Sequence, residues 1–176
     1  MTPATSLAEV VSLYQRWGDD NYDEDLSQLA HAEQTAARAV ASGSGEALIA
    51  AALLHDVGHL LHLAALSDAR HETSGPAYLG ALFGPDITDP IALHVEAKRY
   101  LCAVDATYHD TLSVGSRQSL VRQGGPMTAT DSAAFETQPG WGDAVQLRRW
   151  DDEGKVDGLT VAPLAEYLPL LEGLRR

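Results

Sequence analysis

The chain has 176 residues, 45% of them hydrophobic and 21% charged, which suits one globular domain over residues 1–176 with a core large enough to enclose a site. A net charge of −13 argues against a nucleic-acid backbone as partner, and any anionic small substrate must then be met by a few locally placed cations. Cys102 is the single cysteine, which excludes an internal disulfide and a zinc site built on several thiolates.

In chain order, residues 6–17 carry apolar side chains at Leu7, Val10, Val11, Leu13 and Tyr14, a helical rather than alternating pattern. A polar connection over 18–25 leads to a second helix over 26–41, stopped by SGSG at 42–45. The third helix is expected over 46–63. Its apolar run from Ala47 to Leu54 is far below the roughly 18 residues of a membrane span, and no basic-then-apolar signal pattern opens the chain, so a cytoplasmic protein without a membrane partner is expected. Further helices are predicted over 72–82, 90–104, 115–123, 128–136, 142–150 and 163–174. No set of alternating strands and no repeat of 20 to 50 residues interrupts this pattern, and the fold class is an all-α bundle. Pro126, Pro139 and the Gly124-Gly125 pair mark loops, where chemistry tends to sit on a rigid scaffold.

The stretch ALLHDVGHLLH, residues 52–62, sets His55, Asp56 and His59 in an otherwise apolar segment. On a continuous helix His55 and His59 share a face, and Asp56 sits about 100° round from His55. Three ionisable groups buried together are costly unless a cation offsets the cost. Imidazole and carboxylate donors in combination suit Fe, Mn or Zn over Ca or Mg. His62, at the helix end, reads as a surface or packing residue.

The adjacent His55-Asp56 pair resembles the signature of the HD-domain superfamily, all-helical metalloproteins in which both residues bind metal. The resemblance extends to His31 in QLAHAEQ and to Asp151 in RRWDDEGK, chosen over Asp152 because it stands four before Lys155, as in the family. His71 in ARHETSGPAYL and His94 in ALHVEAKRYL bring the set to six. Six protein ligands with one carboxylate able to bridge imply two metals. By resemblance His31, His55 and Asp151 hold one, His71 and His94 hold the other, and Asp56 bridges both.

The wider pattern is similar to the PhnZ-like mixed-valent di-iron oxygenases, which cleave organophosphonates. NYDEDLSQLAH, AALLHDVGH, RHETSGPAYL, HVEAKRYL, LSVGSRQSLVRQGGPM and RRWDDEGK occur in the family's order. The resemblance implies an HD-domain helical bundle, two iron ions as an Fe(II)/Fe(III) pair, O₂ as co-substrate, and a small 1-hydroxyphosphonate whose C–P bond breaks to release phosphate. Lys98, four after His94, projects from the same helix face and supplies a point charge for an oxyanion. His59, Ser116, Ser119 and Gln123 complete that cradle by resemblance. Glu24 is implied to recognise a substrate amino group, and Tyr22 to act as a lid, although the two stand two apart here and three apart in the family. The segment between His59 and His71 is also shorter than in the family. Two other readings are an HD phosphohydrolase, in which a metal-activated water attacks a phosphate ester or nucleotide, and a non-catalytic HD domain.

Overall fold

Ser6 opens the chain's first regular element by accepting a hydrogen bond from the backbone N–H of Glu9, an N-cap that starts α1 (Leu7–Trp17) and turns Leu7, Val10, Leu13 and Tyr14 inward. In this computed structural model, residues 1–23 and 26–176 are described, with Tyr22 and Asp23 described by backbone alone. The roles expected of Glu24 and of the Tyr22 side chain therefore fall outside the described residues.

A short antiparallel pair follows, β1 (Asn21–Asp23) and β2 (Leu26–Ser27), where only a polar connection and the start of a helix are expected. Ser27 then caps α2 (Gln28–Ala41), so this helix begins two residues later than its apolar pattern suggests. The remaining helices are α3 (Glu46–Leu54), α4 (Val57–Leu63), α5 (His71–Leu79), α6 (Pro85–Val104), α7 (Tyr108–Thr111), α8 (Val114–Arg122), α9 (Ala129–Phe135), α10 (Trp141–Glu153) and α11 (Leu164–Gly173). The architecture is an all-α bundle. Helix α6 starts at Pro85, five residues before the expected Pro90, and runs through Pro90 at the cost of one intrahelical hydrogen bond.

The main departure from expectation is at the centre of the motif. Residues 46–63 do not form one helix: Asp56 has φ −102° and ψ 13°, outside the helical region, and ends α3 at Leu54 before α4 starts at Val57. His55 and His59 consequently do not share one straight helix face. The turn carries the Asp56 carboxylate to a place between flanking helices. By length and composition this segment passes for a membrane span, but 67% of it is buried within the bundle.

Two apolar clusters make the core. One gathers α1, α3 and α4 with Ile87, Ile91, Leu147 and Trp150, and the other gathers Leu93, Ala97, Tyr100 and Leu101 with Phe135, Met127 and Ala144. Helices α6 and α10 contribute to both, which makes them the rigid partition of the molecule. The ionisable residues of the motif converge beside that partition, with side chains from α2, the α3–α4 turn, α5, α6 and α10.

Candidate metal centre

Ring orientation in this site is set by backbone carbonyls. His31 Nδ1 donates to the Gly154 carbonyl at 3.0 Å, His55 Nδ1 to Ala52 at 2.8 Å and His94 Nδ1 to Ile91 at 2.6 Å. A carbonyl only accepts, so each Nδ1 bears the proton and each Nε2 of the neutral ring presents a lone pair. Glycine at 154 is a geometric requirement, because a Cβ there would lie 2.6 Å from Thr35 Oγ1 and 3.0 Å from the Thr35 backbone nitrogen. That close approach of α10 to α2 brings the Gly154 carbonyl to His31.

The Nε2 atoms then face one another in two pairs. His31 and His55 are 3.2 Å apart, and His71 and His94 are 3.1 Å apart. Lone pairs held that close repel unless a cation lies between them. Asp56 stands at the junction: Oδ2 is 3.3 Å from His55 Nε2 and 3.7 Å from His31 Nε2, while Oδ1 is 3.5 Å from His71 Nε2 and 3.6 Å from His94 Nε2. Asp151 completes the first pair, with Oδ1 3.4 Å from His31 Nε2 and Oδ2 3.8 Å from His55 Nε2. Donors about 2.1 Å from one ion are separated by about 3.0 Å at right angles and about 4.2 Å when opposite, so these separations fit coordination.

A second observation agrees. Both oxygens of Asp56 and Oδ1 of Asp151 are buried without a hydrogen-bond partner among the described residues. Buried polar atoms are nearly always satisfied, and an uncompensated buried carboxylate is costly. The six donors thus fit a metal pair whose halves share Asp56.

Electrostatics keep the donors in ligating form. Burial opposes the charge of Asp56, but His55 and His59 beside it hold its carboxyl well below the usual range. Burial likewise opposes the charge of Asp151, and Arg148 and Lys155 outweigh it. Burial pushes His31 down and His71 well down, favouring the neutral ring. His55 is the exception: burial works against its charge, yet Asp56 and Asp151 carry it above the ordinary value.

Of the two neighbouring acids, Asp151 faces the rings and Asp152 faces away from them. Asp152 pairs with the Arg148 guanidinium and accepts from the Tyr108 hydroxyl, so it serves the support and Asp151 faces the rings. His59 is the most exposed of the clustered rings at 39%; it stacks on His71 at 4.0 Å and has Nε2 3.9 Å from Asp56 Oδ1. His62 is exposed and turned toward the Ser67 carbonyl, away from the site.

A cavity of about 410 Å³ opens on the His71–His94 side, lined among others by His59, Lys98, Ser116, Ser119, Gln123 and Lys155. Lys98 Nζ donates to Ser119 Oγ at 2.6 Å, and burial pushes its pKa down to about 8. Lys155 Nζ reaches Ser116 Oγ at 3.2 Å and lies 3.3 Å from Asp151 Oδ1. Gln123 Oε1 is buried with no partner among the described residues. The chain has only two lysines, and both line this cavity, together with Arg122 and Arg148. Cations gathered in a protein of net charge −13 meet the demand its acidity sets for an anionic ligand.

Sequence reasoning did not place Arg148, Arg122, Lys155 or Gln28 in the cavity. Arg148 stands three before Asp151 and Lys155 four after it, a spacing that could have flagged both.

No family model matches the chain. It is 46% identical to a hydroxymethylphosphonate dioxygenase from Gimesia maris, over 94% of this chain and 86% of that protein. It is 35% identical to a 1-hydroxy-2-(trimethylamino)ethylphosphonate dioxygenase (glycine-betaine-forming) from Leisingera caerulea, over 91% of this chain and 85% of that protein.

Proposed function

Because this chain belongs to the PhnZ-like organophosphonate dioxygenase family, we propose that it uses O₂ to cleave the C–P bond of a small 1-hydroxyphosphonate. The observation that carries this reading is the Asp56 carboxylate, with one oxygen toward each histidine pair, beside a cavity lined by His71, His94 and both lysines of the chain. We assign two iron ions, as an Fe(II)/Fe(III) pair: His31, His55 and Asp151 to one, His71 and His94 to the other, Asp56 to both. We read residues 1–176 as a single domain of a cytoplasmic enzyme.

When bound, the redox-active pair supplies the activation of O₂. The protein's part is to bind and orient. Lys98, with Lys155 nearby, compensates the phosphonate charge; Ser116, Ser119, Gln123 and His59 fix its oxygens by hydrogen bonds. Holding the reacting carbon beside the metal donors and meeting charge with fixed groups are the proximity and preorganisation terms of catalysis. For hydroxymethylphosphonate the atoms balance: HOCH₂PO₃H₂ and O₂ give formic acid and phosphoric acid, one oxygen atom ending on carbon and one on phosphorus.

Among the described residues, Asp151 is the only carboxylate lining the cavity, and it faces the histidines. The relative at 46% identity is named for hydroxymethylphosphonate and the one at 35% for a trimethylamino compound, which supports hydroxymethylphosphonate as the substrate over one bearing an ammonium group. The test is oxygen uptake with coupled phosphate release, comparing hydroxymethylphosphonate with 1-hydroxy-2-aminoethylphosphonate and its trimethylated form. Highest kcat/KM is expected for the first, from protein showing a spin-coupled Fe(II)/Fe(III) signal. Phosphate release from nucleotides without O₂, and none from any 1-hydroxyphosphonate, would replace this reading with the phosphohydrolase.

A further inference from the structure

Gly58, inside HDVGH, is not a ligand, and yet its backbone is packed against that of one with no room for a side chain. A Cβ built on it would lie 2.3 Å from the His71 carbonyl oxygen, 2.5 Å from His71 Cα and 2.7 Å from His71 C, all of them backbone atoms. The contact is reciprocal, because a Cβ on Gly75 would lie 3.3 Å from Val57 Cγ1 and 3.4 Å from the Gly58 nitrogen. The first turn of α4 and the first turns of α5 thus cross with no side chain between them at 58 or 75.

We propose that Gly58 is a positioning residue for His71, and through it for the His71–His94 half of the metal pair alone. The role rests on the two-metal reading. Ordinary contact between non-bonded heavy atoms is about 3.5 Å, so any L side chain at 58 must push the start of α5 away by roughly 1 Å. Metal-ligand distances hold to about 0.2 Å, and a shift several times larger does not keep His71 in place. The ring has little freedom to compensate. It stacks on His59 at 4.0 Å, its Nδ1 lies 3.3 Å from Glu72 Oε2, and its Nε2 already stands 3.1 Å from His94.

The donors that belong to the other half alone lie outside this crossing, and Asp56, two residues before Gly58, is the one donor common to both. His31 is held by the Gly154 carbonyl, His55 by the Ala52 carbonyl and Asp151 by Arg148, none of which belongs to α4 or α5. The glycine between the bridging Asp56 and His59 is therefore what allows a short turn to bring its own carboxylate and a histidine from the next helix to one ion.

The test is a count of bound metal. Wild type, Gly58→Ala, His71→Ala and Gly142→Ala are loaded with ferrous iron under anaerobic conditions, stripped of loose metal and analysed for iron per chain, with helicity checked by circular dichroism. Gly142 has nothing within 4 Å of a built Cβ and serves as the neutral control. Two ions are expected in wild type and Gly142→Ala, and one in Gly58→Ala and His71→Ala. Folded Gly58→Ala that holds two ions, or none, overturns the role. A wild type that holds a single ion overturns the two-metal reading instead. If Gly58→Ala does not fold, Gly75→Val carries the test: its Cβ already meets Val57 Cγ1 at 3.3 Å and the Gly58 nitrogen at 3.4 Å, so the added methyls part the same crossing, weakening the second ion and leaving the first unchanged, whereas equal weakening or no change refutes the proposal.

Discussion

Arg148 Nη1 lies 2.5 Å from Asp151 Oδ2, and the two side chains are only 4% and 1% exposed. The same guanidinium pairs with Asp152 through Nε and Nη2, and Asp152 in turn takes the Tyr108 hydroxyl. One Asp151 oxygen is thereby claimed by the fork, and the other, Oδ1, faces His31 at 3.4 Å and Lys155 at 3.3 Å. Burial works against the charge of Arg148, but Asp151 and Asp152 outweigh it and hold the guanidinium well above its ordinary pKa.

Arg148→Lys should accordingly weaken metal binding in the His31–His55 half by roughly 10–100-fold, the usual effect of losing a partner that orients a ligand. Lysine keeps one charge and cannot span two carboxylates. Asp151→Asn should lose that ion outright, whereas Asp152→Asn should bind it within a few-fold of wild type. Chelator competition at a temperature where each variant is folded measures all three, and an unaltered Arg148→Lys would remove the positioning role.

Lys98 is expected to set an alkaline limit on substrate binding. Burial lowers its pKa to about 8, so the ammonium is present below that pH and is lost above it. The kcat/KM for a phosphonate should fall as pH rises through about 8, mainly through KM. Lys98→Arg should move that fall to higher pH, and Lys98→Met should lower kcat/KM by roughly 10–100-fold at neutral pH, the equivalent of a charged hydrogen bond of about 1.5–3 kcal/mol. In the ligand-free chain the folded pKa is below the ordinary 10.5, so the unfolded state binds the proton more tightly and this group's contribution to stability rises between pH 8 and 10.5. A pH profile that is flat for wild type and Lys98→Arg alike would show that Lys98 does not meet the anion.

Metal removal should destabilise the fold in a pH-dependent way. A ligand at 100 times its Kd stabilises by about 2.7 kcal/mol, which for a chain of this size is a Tm change of roughly 5–10 °C. His55 must be neutral to ligate, and Asp56 and Asp151 raise its pKa against the effect of burial. Protons therefore begin to displace metal above the ordinary histidine value of about 6.5, and the Tm difference between loaded and chelated protein should shrink as pH falls through that region. Calorimetry at pH 7.5 and 5.5 with and without chelator reads it; equal differences at the two values would argue against His55 as a ligand.

Residue type and spacing were enough to read the all-α class, the metal-capable character of His55, Asp56 and His59, and the helix that carries His94 and Lys98. Those features are local: apolar periodicity makes a helix, and ionisable groups in an apolar segment demand a partner. The break at Asp56 was not legible, because the helical pattern over 46–63 continues straight through it, and the turn shows only in the fold, where α3 packs on α6 and α4 on α5. Which carboxylate oxygen faces which ring, why Asp151 rather than Asp152 turns inward, and the gathering of Arg148 and Lys155 at the cavity were likewise decided in three dimensions. The sequence by itself determined which donors are available; tertiary structure decided how they are shared. The physical reason is distance along the chain: His31 and Asp151 meet across 120 residues of it, and their geometry depends on contacts among five helices that no local pattern encodes.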